Sequence, residues 1–166
     1  MIEFSKYHGT GNDFVMIDNR NQDYKLSESQ IEKICHRRFG IGADGLIMLE
    51  NAEGFDFRMK YYNADGKEGS MCGNGGRCAV KFAEDLSIFN QSTNFIATDG
   101  PHYSTVKDGI ISLGMIDVNQ IEKIENNYFL NTGSPHLIIF TDDLENIDVK
   151  KTGSEIRYSD YWKARN

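Results

Sequence analysis

The chain is poor in proline and cysteine: its 166 residues include two prolines, three cysteines and one tryptophan. Pro101 and Pro135 both fall at loop-like places, so no Pro-rich linker is present, and no segment is of low complexity. An odd number of cysteines, with neither a CxxC pair nor a Cys/His spacing suited to zinc, argues against a disulfide framework and a structural metal. We therefore expect Cys35, Cys72 and Cys78 to be free thiols in a reducing compartment, with no metal bound. No apolar run is long enough to span a bilayer. The opening stretch, MIEFSKYHGT, turns polar within a few residues, so no secretory leader is expected and the cytoplasm is the expected compartment. Basic residues are outnumbered, 18 Lys and Arg against 25 Asp and Glu, and form no block. Nothing at a net charge of −7 recommends nucleic acid or an anionic membrane as a partner. An anionic substrate would need a locally built positive potential.

What is present, 39% hydrophobic and 26% charged residues, describes a soluble globular protein long enough to bury a core. Residues 61–86 are its organising stretch: the end of a strand, a polar loop, and a helix that begins beside Cys72. Gly73, Asn74, Gly75 and Gly76 are poor helix formers, an interior glycine costing about 1 kcal/mol relative to alanine. They make sense if something must approach the backbone closely. The first N–H groups of a helix lack internal partners and the dipole is positive there, so a carboxylate, a phosphate or a thiolate is at home. Cys78, Ala79, Phe82, Ala83 and Leu86 recur at helical spacing. Cys72 thus sits where a cysteine becomes reactive, and Cys78 where one packs.

Around this stretch the chain reads as α+β. Residues 2–7 and 14–18 are expected strands joined by the corner HGTGND, which presents Asn12 and Asp13. A helix follows over 27–38, marked by a Ser27/Gln30 capping box and a Leu26/Ile31 staple. Ile31, Ile34, Cys35 and Phe39 form its expected buried face, and Gly40 its stop. His36, Arg37 and Arg38 read as a solvated helix end. The loop 40–45 has glycines but precedes a strand and lacks the Lys-Ser/Thr of a nucleotide-binding loop, so nucleotide binding is dismissed. Residues 46–49 form an apolar strand, and 55–62 alternate as a half-buried one. Strands are expected again at 94–98, 102–107 and 110–115, the last two joined by a tight turn at 107–109.

The segment TGNDFVMI at 10–17 is echoed by TGSPHLII at 132–139, an offset of 122 residues. Each copy is followed by a helical pattern, the second over 149–158. Internal duplication is the natural suspicion. Two domains are therefore expected, 1–114 and the beginning of a second over 115–166. The counterpart of Cys72 would fall near position 194, beyond Asn166.

YHGTGNDFVMID, RRFGIGADG, YYNADGKEGSMCGNGGRCA and NTGSPH, in this order and spacing, resemble the diaminopimelate epimerase family. The resemblance implies two pseudo-symmetric lobes, each a mixed sheet curled around a central helix, with the site in the cleft between them. It implies inversion at the α-carbon of LL-diaminopimelate without a cofactor, one cysteine from each lobe facing opposite sides of that carbon. By the same resemblance Cys72 is the first-lobe catalytic cysteine, and Gly73 and Asn74 form the helix start that holds the reacting carboxylate. Asn12 and Asn63 are substrate contacts, as is Ser134, which stands where many members have Asn. His136 is a histidine that influences the thiols. Gly45 stands where some members carry Gln. The second cysteine lies outside this stretch, so the chain alone is expected to be inactive. The alternatives are a homodimer in which a second copy completes the site, a phenazine-biosynthesis or proline-racemase type of isomerase, and a substrate-binding remnant without turnover. Read without the resemblance, Asn12, Asn63 and Asn74 suit turns and caps, and His136 suits a structural role.

Overall fold

In the computed structural model residues 2–165 are described, and the chain divides into two compact units after Ile116. Met1 and Asn166, the outer bounds of the two expected domains, lie outside the described residues.

The first unit carries a seven-stranded sheet in sequential order: β1 (Ser5–Gly9), β2 (Asn12–Asp18), β3 (Gly45–Ala52), β4 (Phe55–Asn63), β5 (Ser92–Ala97), β6 (Gly100–Lys107) and β7 (Ile110–Leu113). Two neighbouring pairs, β2 with β3 and β4 with β5, are parallel. A parallel pair needs a crossover, and the two helices supply them: α1 (Glu28–Cys35) and α2 (Gly73–Asp85). They cover opposite faces. Phe14, Met16, Ile47 and Leu49 point to α2, while Val15, Ile17, Leu46 and Met48 point to α1. Successive strand residues alternate faces, so a strand covered on both sides reads as an unbroken apolar run, as β2 and β3 do. β4 has a wetter outer face: Phe57 and Met59 are buried, Asp56 and Arg58 exposed. The sheet is mixed and curls around α2, which touches β1 and β7, the first and last strands, as well as β2, β3 and β4.

The capping box of α1 forms as its sequence predicts, with Ser27 and Gln30 bonded reciprocally. Its C-terminal part differs from expectation. The helix stops at Cys35, because His36 turns extended and its Nδ1 accepts the N–H groups of Arg38 and Phe39. The chain then folds back so that Ile41 and Gly42 donate to the Ile34 carbonyl and Ala43 to that of Cys35. Phe39 is 80% exposed and does not join the buried face. Gly40 is required by this reversal: a Cβ there would stand 2.0 Å from the Lys33 carbonyl oxygen.

The second unit, from Asp117, is a three-stranded antiparallel sheet, β8 (Ile121–Ile124), β9 (Asn127–Asn131) and β10 (Pro135–Ile138), followed by a 3₁₀ turn (Leu144–Asn146) and by α3 (Val149–Tyr158) and α4 (Asp160–Lys163). The echo is structural as well. β1–β2 and β9–β10 are both antiparallel hairpins, and each leads to a helix capped by a side chain, Ser27 for α1 and Asp148 for α3. Within the second unit an apolar groove of about 410 Å³ runs between Phe129, Leu137 and Ile139 of the sheet region and Val149 and Ile156 of α3.

Candidate active site

Cys72 is the N-cap of α2, in an extended conformation with its half-buried Sγ accepting the Gly75 N–H at 3.5 Å. The Gly76 N–H goes to the Cys72 carbonyl, which leaves those of Gly73 and Asn74 as helix-start donors without a partner inside the helix. The glycines divide by role. A Cβ on Gly75 would lie 3.2 Å from Ile47 and Met59, and one on Gly76 would be 2.6 Å from Met71 and 2.8 Å from Leu113. At Gly75 what approaches the backbone is the sheet itself, and at Gly76 it is Met71 of the preceding loop together with Leu113 of β7. A Cβ on Gly73 would meet only Arg77 Nη1, at an ordinary contact distance of 3.7 Å. The helix start is thus pressed against the sheet on one side and accessible at Gly73.

The sheet register brings the first-unit asparagines to the same end. Gly45 of β3 pairs with Phe14 of β2 and with Asn63 of β4, while Asn12 opens β2. Asn12 Oδ1 lies 3.7 Å from Cys72 Sγ, which donates to it. Asn63 Oδ1 accepts from the Tyr61 hydroxyl at 2.8 Å. Tyr61 fills the space between two glycines: a Cβ on Gly45 would fall 2.6 Å from its ring, and one on Gly69 2.5 Å. No side chain fits at position 45 while Tyr61 stays there, so that ring takes the place. Burial pushes the Tyr61 phenol up to about 12, so it remains a donor to Asn63. Asn74 Oδ1 accepts from Arg77 at 2.5 Å.

Sequence reasoning missed the charged network behind Asn12. Arg37, expected at a solvated helix end and indeed exposed, also bridges two carboxylates, Asp13 at 2.8 Å and Asp44 at 2.6 Å. Lys6 adds a second cation on Asp13 at 2.7 Å and also donates to the Gly42 carbonyl. Hydrogen bonds from Arg37, then Lys6, hold the Asp13 carboxyl well below the usual range, and Asn12 followed by Arg37 lowers that of Asp44. The signals in the sequence were Asp13, presented by the HGTGND corner, and the unassigned Asp44 in the loop 40–45.

Cys35 and Cys78 are buried, and burial pushes both thiols up to about 11. Ser134 and His136 belong to the second unit. There His136 Nδ1 lies 2.7 Å from the Ser134 carbonyl and 3.4 Å from Thr132 Oγ1. Among the described residues no group of three His, Cys, Asp or Glu is arranged to hold a metal ion, and no helix is long and apolar enough to cross a membrane.

A family model for diaminopimelate epimerase matches residues 4–109. Diaminopimelate epimerase of Flavobacterium psychrophilum is 56% identical over 163 residues, 97% of this chain and 64% of that protein. That of Chlorobaculum tepidum is 41% identical over 91% of this chain and 62% of its own length. The chain therefore spans less than two thirds of these two relatives. Among solved structures, a PhzF-family phenazine biosynthesis protein of Bacillus anthracis superposes with a TM-score of 0.58 at 14% identity, over 82% of this chain and 53% of that one. Methylitaconate-delta-isomerase gives 0.50 at 13% identity, over 78% and 41%. At such identities the likeness speaks for the fold, a mixed sheet curled on a helix. With its sheet, its Cys72 helix start and these relatives taken together, the chain belongs to the diaminopimelate epimerase family.

Proposed function

We propose that this chain carries one half of the active site of a diaminopimelate epimerase, which inverts the α-carbon of LL-diaminopimelate to the meso form in lysine and peptidoglycan precursor biosynthesis in the cytoplasm. The observation that carries this reading is Cys72 at the start of α2, half-buried, with Asn12 on its sulfur and accessible helix-start donors beside it.

An amino acid's α-proton is very weakly acidic, and removing it without a cofactor requires strong stabilisation of the developing charge. Helix-start N–H groups of Gly73 and Asn74 around the reacting carboxylate supply that in a site closed to water. A cysteine serves as base in one direction, as the thiolate, and as acid in the other, as the thiol. Inversion requires one such group on each face. Neither Cys35 nor Cys78 suits the second role, since both are buried and held protonated. The opposing acid comes from outside these 166 residues, from further polypeptide or a second copy. Asn12, Asn63 and Ser134 contact the substrate, and His136 influences the thiols, the last two acting from the start of the second lobe.

Incubation with LL-diaminopimelate in D₂O tests the assignment. Wherever a second acid completes the site, α-deuterium enters with inversion, and Cys72→Ala abolishes it. Exchange that survives Cys72→Ala, or a Cys72 that no diamino-dicarboxylate protects from alkylation, overturns the reading.

A further inference from the structure

The side-chain amide of Asn12 has two unlike ends, an acceptor oxygen and a donor NH₂, and its surroundings decide which end faces Cys72. Asn12 Nδ2 donates to Asp44 Oδ2 at 2.9 Å. An ionised carboxylate only accepts, so this contact dictates that the oxygen points the other way, to Cys72 Sγ at 3.7 Å. Asp44 is itself held from three sides. Its Oδ1 accepts from Arg37 Nη2 at 2.6 Å, its Oδ2 also accepts the Asp13 N–H at 3.3 Å, and its own N–H donates to Asp13. Arg37 in turn is clamped by Asp13.

We propose that Asp44, anchored by Arg37, is a positioning residue: it fixes the Asn12 amide with its oxygen on Cys72, so that the sulfur meets an acceptor and not a donor, and thereby sets how readily that sulfur reacts. An acceptor on the sulfur favours S–H and disfavours the thiolate, opposing the Gly75 N–H and the helix start, which favour the anion. Were the amide to turn over, Nδ2 would donate to the sulfur and the balance would reverse. The hydrogen bond from Asn12 to Asp44 thus selects which end of the amide the sulfur meets. The other ionisable groups that interact with the thiol are Tyr61 of β4 and Cys78 of α2, while Asp13, Arg37 and Lys6 belong to the network behind Asn12. The inference rests on the reading of Cys72 as the acid/base, but it can be measured on the thiol without substrate.

The test is a double-mutant cycle on the rate of Cys72 alkylation by iodoacetamide, located by peptide mass. Asp44→Asn, which can donate to the amide as well as accept, speeds alkylation at neutral pH by roughly tenfold. In an Asn12→Ala background the same substitution changes the rate by less than about twofold. An equal factor in both backgrounds means that Asp44 acts as a charge through space and overturns the proposal, as does no change in either. Arg37→Gln repeats the cycle at an exposed side chain if Asp44→Asn fails to fold. Loss of a cation alone slows alkylation in both backgrounds, whereas release of Asp44 speeds it only where Asn12 is present. Because no substrate is involved, a Cys72 that no diamino-dicarboxylate protects from alkylation, together with a coupled cycle, removes the epimerase reading and keeps the Asp44–Asn12–Cys72 linkage. Exchange with an uncoupled cycle does the reverse.

Discussion

The two hairpin-and-helix units of this chain repeat a local pattern and differ in what covers it. In the first, β1–β2 and α1 are joined by α2, and Phe14 and Met16 on the face toward α2 are fully buried. In the second, β9–β10 and α3 form, Asp148 caps the helix, and yet none of the described residues after Ile116 is buried. Ile138, at the position that echoes Met16, is 37% exposed. The difference teaches that turns, caps and strand pairing come from local sequence, whereas a core needs a second covering element. α2 is that element for the first unit, and it carries the catalytic candidate at its tip.

The largest expected effect separates the two units directly. Phe57 is fully buried and stacks on Phe95 at 4.9 Å, so Phe57→Ala should cost about 3–5 kcal/mol of unfolding free energy in a urea titration. Phe129→Ala in the half-buried groove of the second unit should cost about 1 kcal/mol. Equal costs would break the comparison. A smaller effect sharpens the link between core and site. Gly45→Ala places a methyl 2.6 Å from both the Tyr61 ring and the Tyr62 carbonyl oxygen, and should cost about 1–3 kcal/mol as Tyr61 is displaced from Asn63. Thermal unfolding measures the cost, and a wild-type melting temperature would refute the close packing.

The smallest effect is in pH. Asp13 has a depressed carboxyl, so its contribution is present above the ordinary carboxylate range and is lost as pH falls through its lowered value. Acid titration of urea stability should therefore show a decline below about pH 4 that Asp13→Asn flattens. An unchanged profile would mean that the Arg37 and Lys6 contacts contribute nothing to folding.

Much of the fold was legible because its signals are local. The Ser27 box, the alternation along β4, the tight turn at 107–109 and the glycine-rich start of α2 each specify their own backbone. The end of α1 was not, because its spacing continues to Phe39 while hydrogen bonds to the His36 ring and a chain reversal at Gly40 terminate it. The site shows the same split. Cys72 and the asparagines stand out by motif, whereas Arg37 looked like any cation near a helix end. Its partners Asp13 and Asp44 are 24 and 7 residues away, a pairing only the fold-back of 40–44 creates.

By itself, then, the sequence determined the elements, the family and a cysteine at a helix start, since propensity, periodicity and motif act within a few residues. Only the tertiary structure decided which glycines of the helix start are pressed by neighbouring side chains and which is not, why position 45 has no side chain, and which end of the Asn12 amide meets the thiol. Those depend on atoms from distant strands sharing a few ångströms, where excluded volume and hydrogen-bond polarity leave one arrangement.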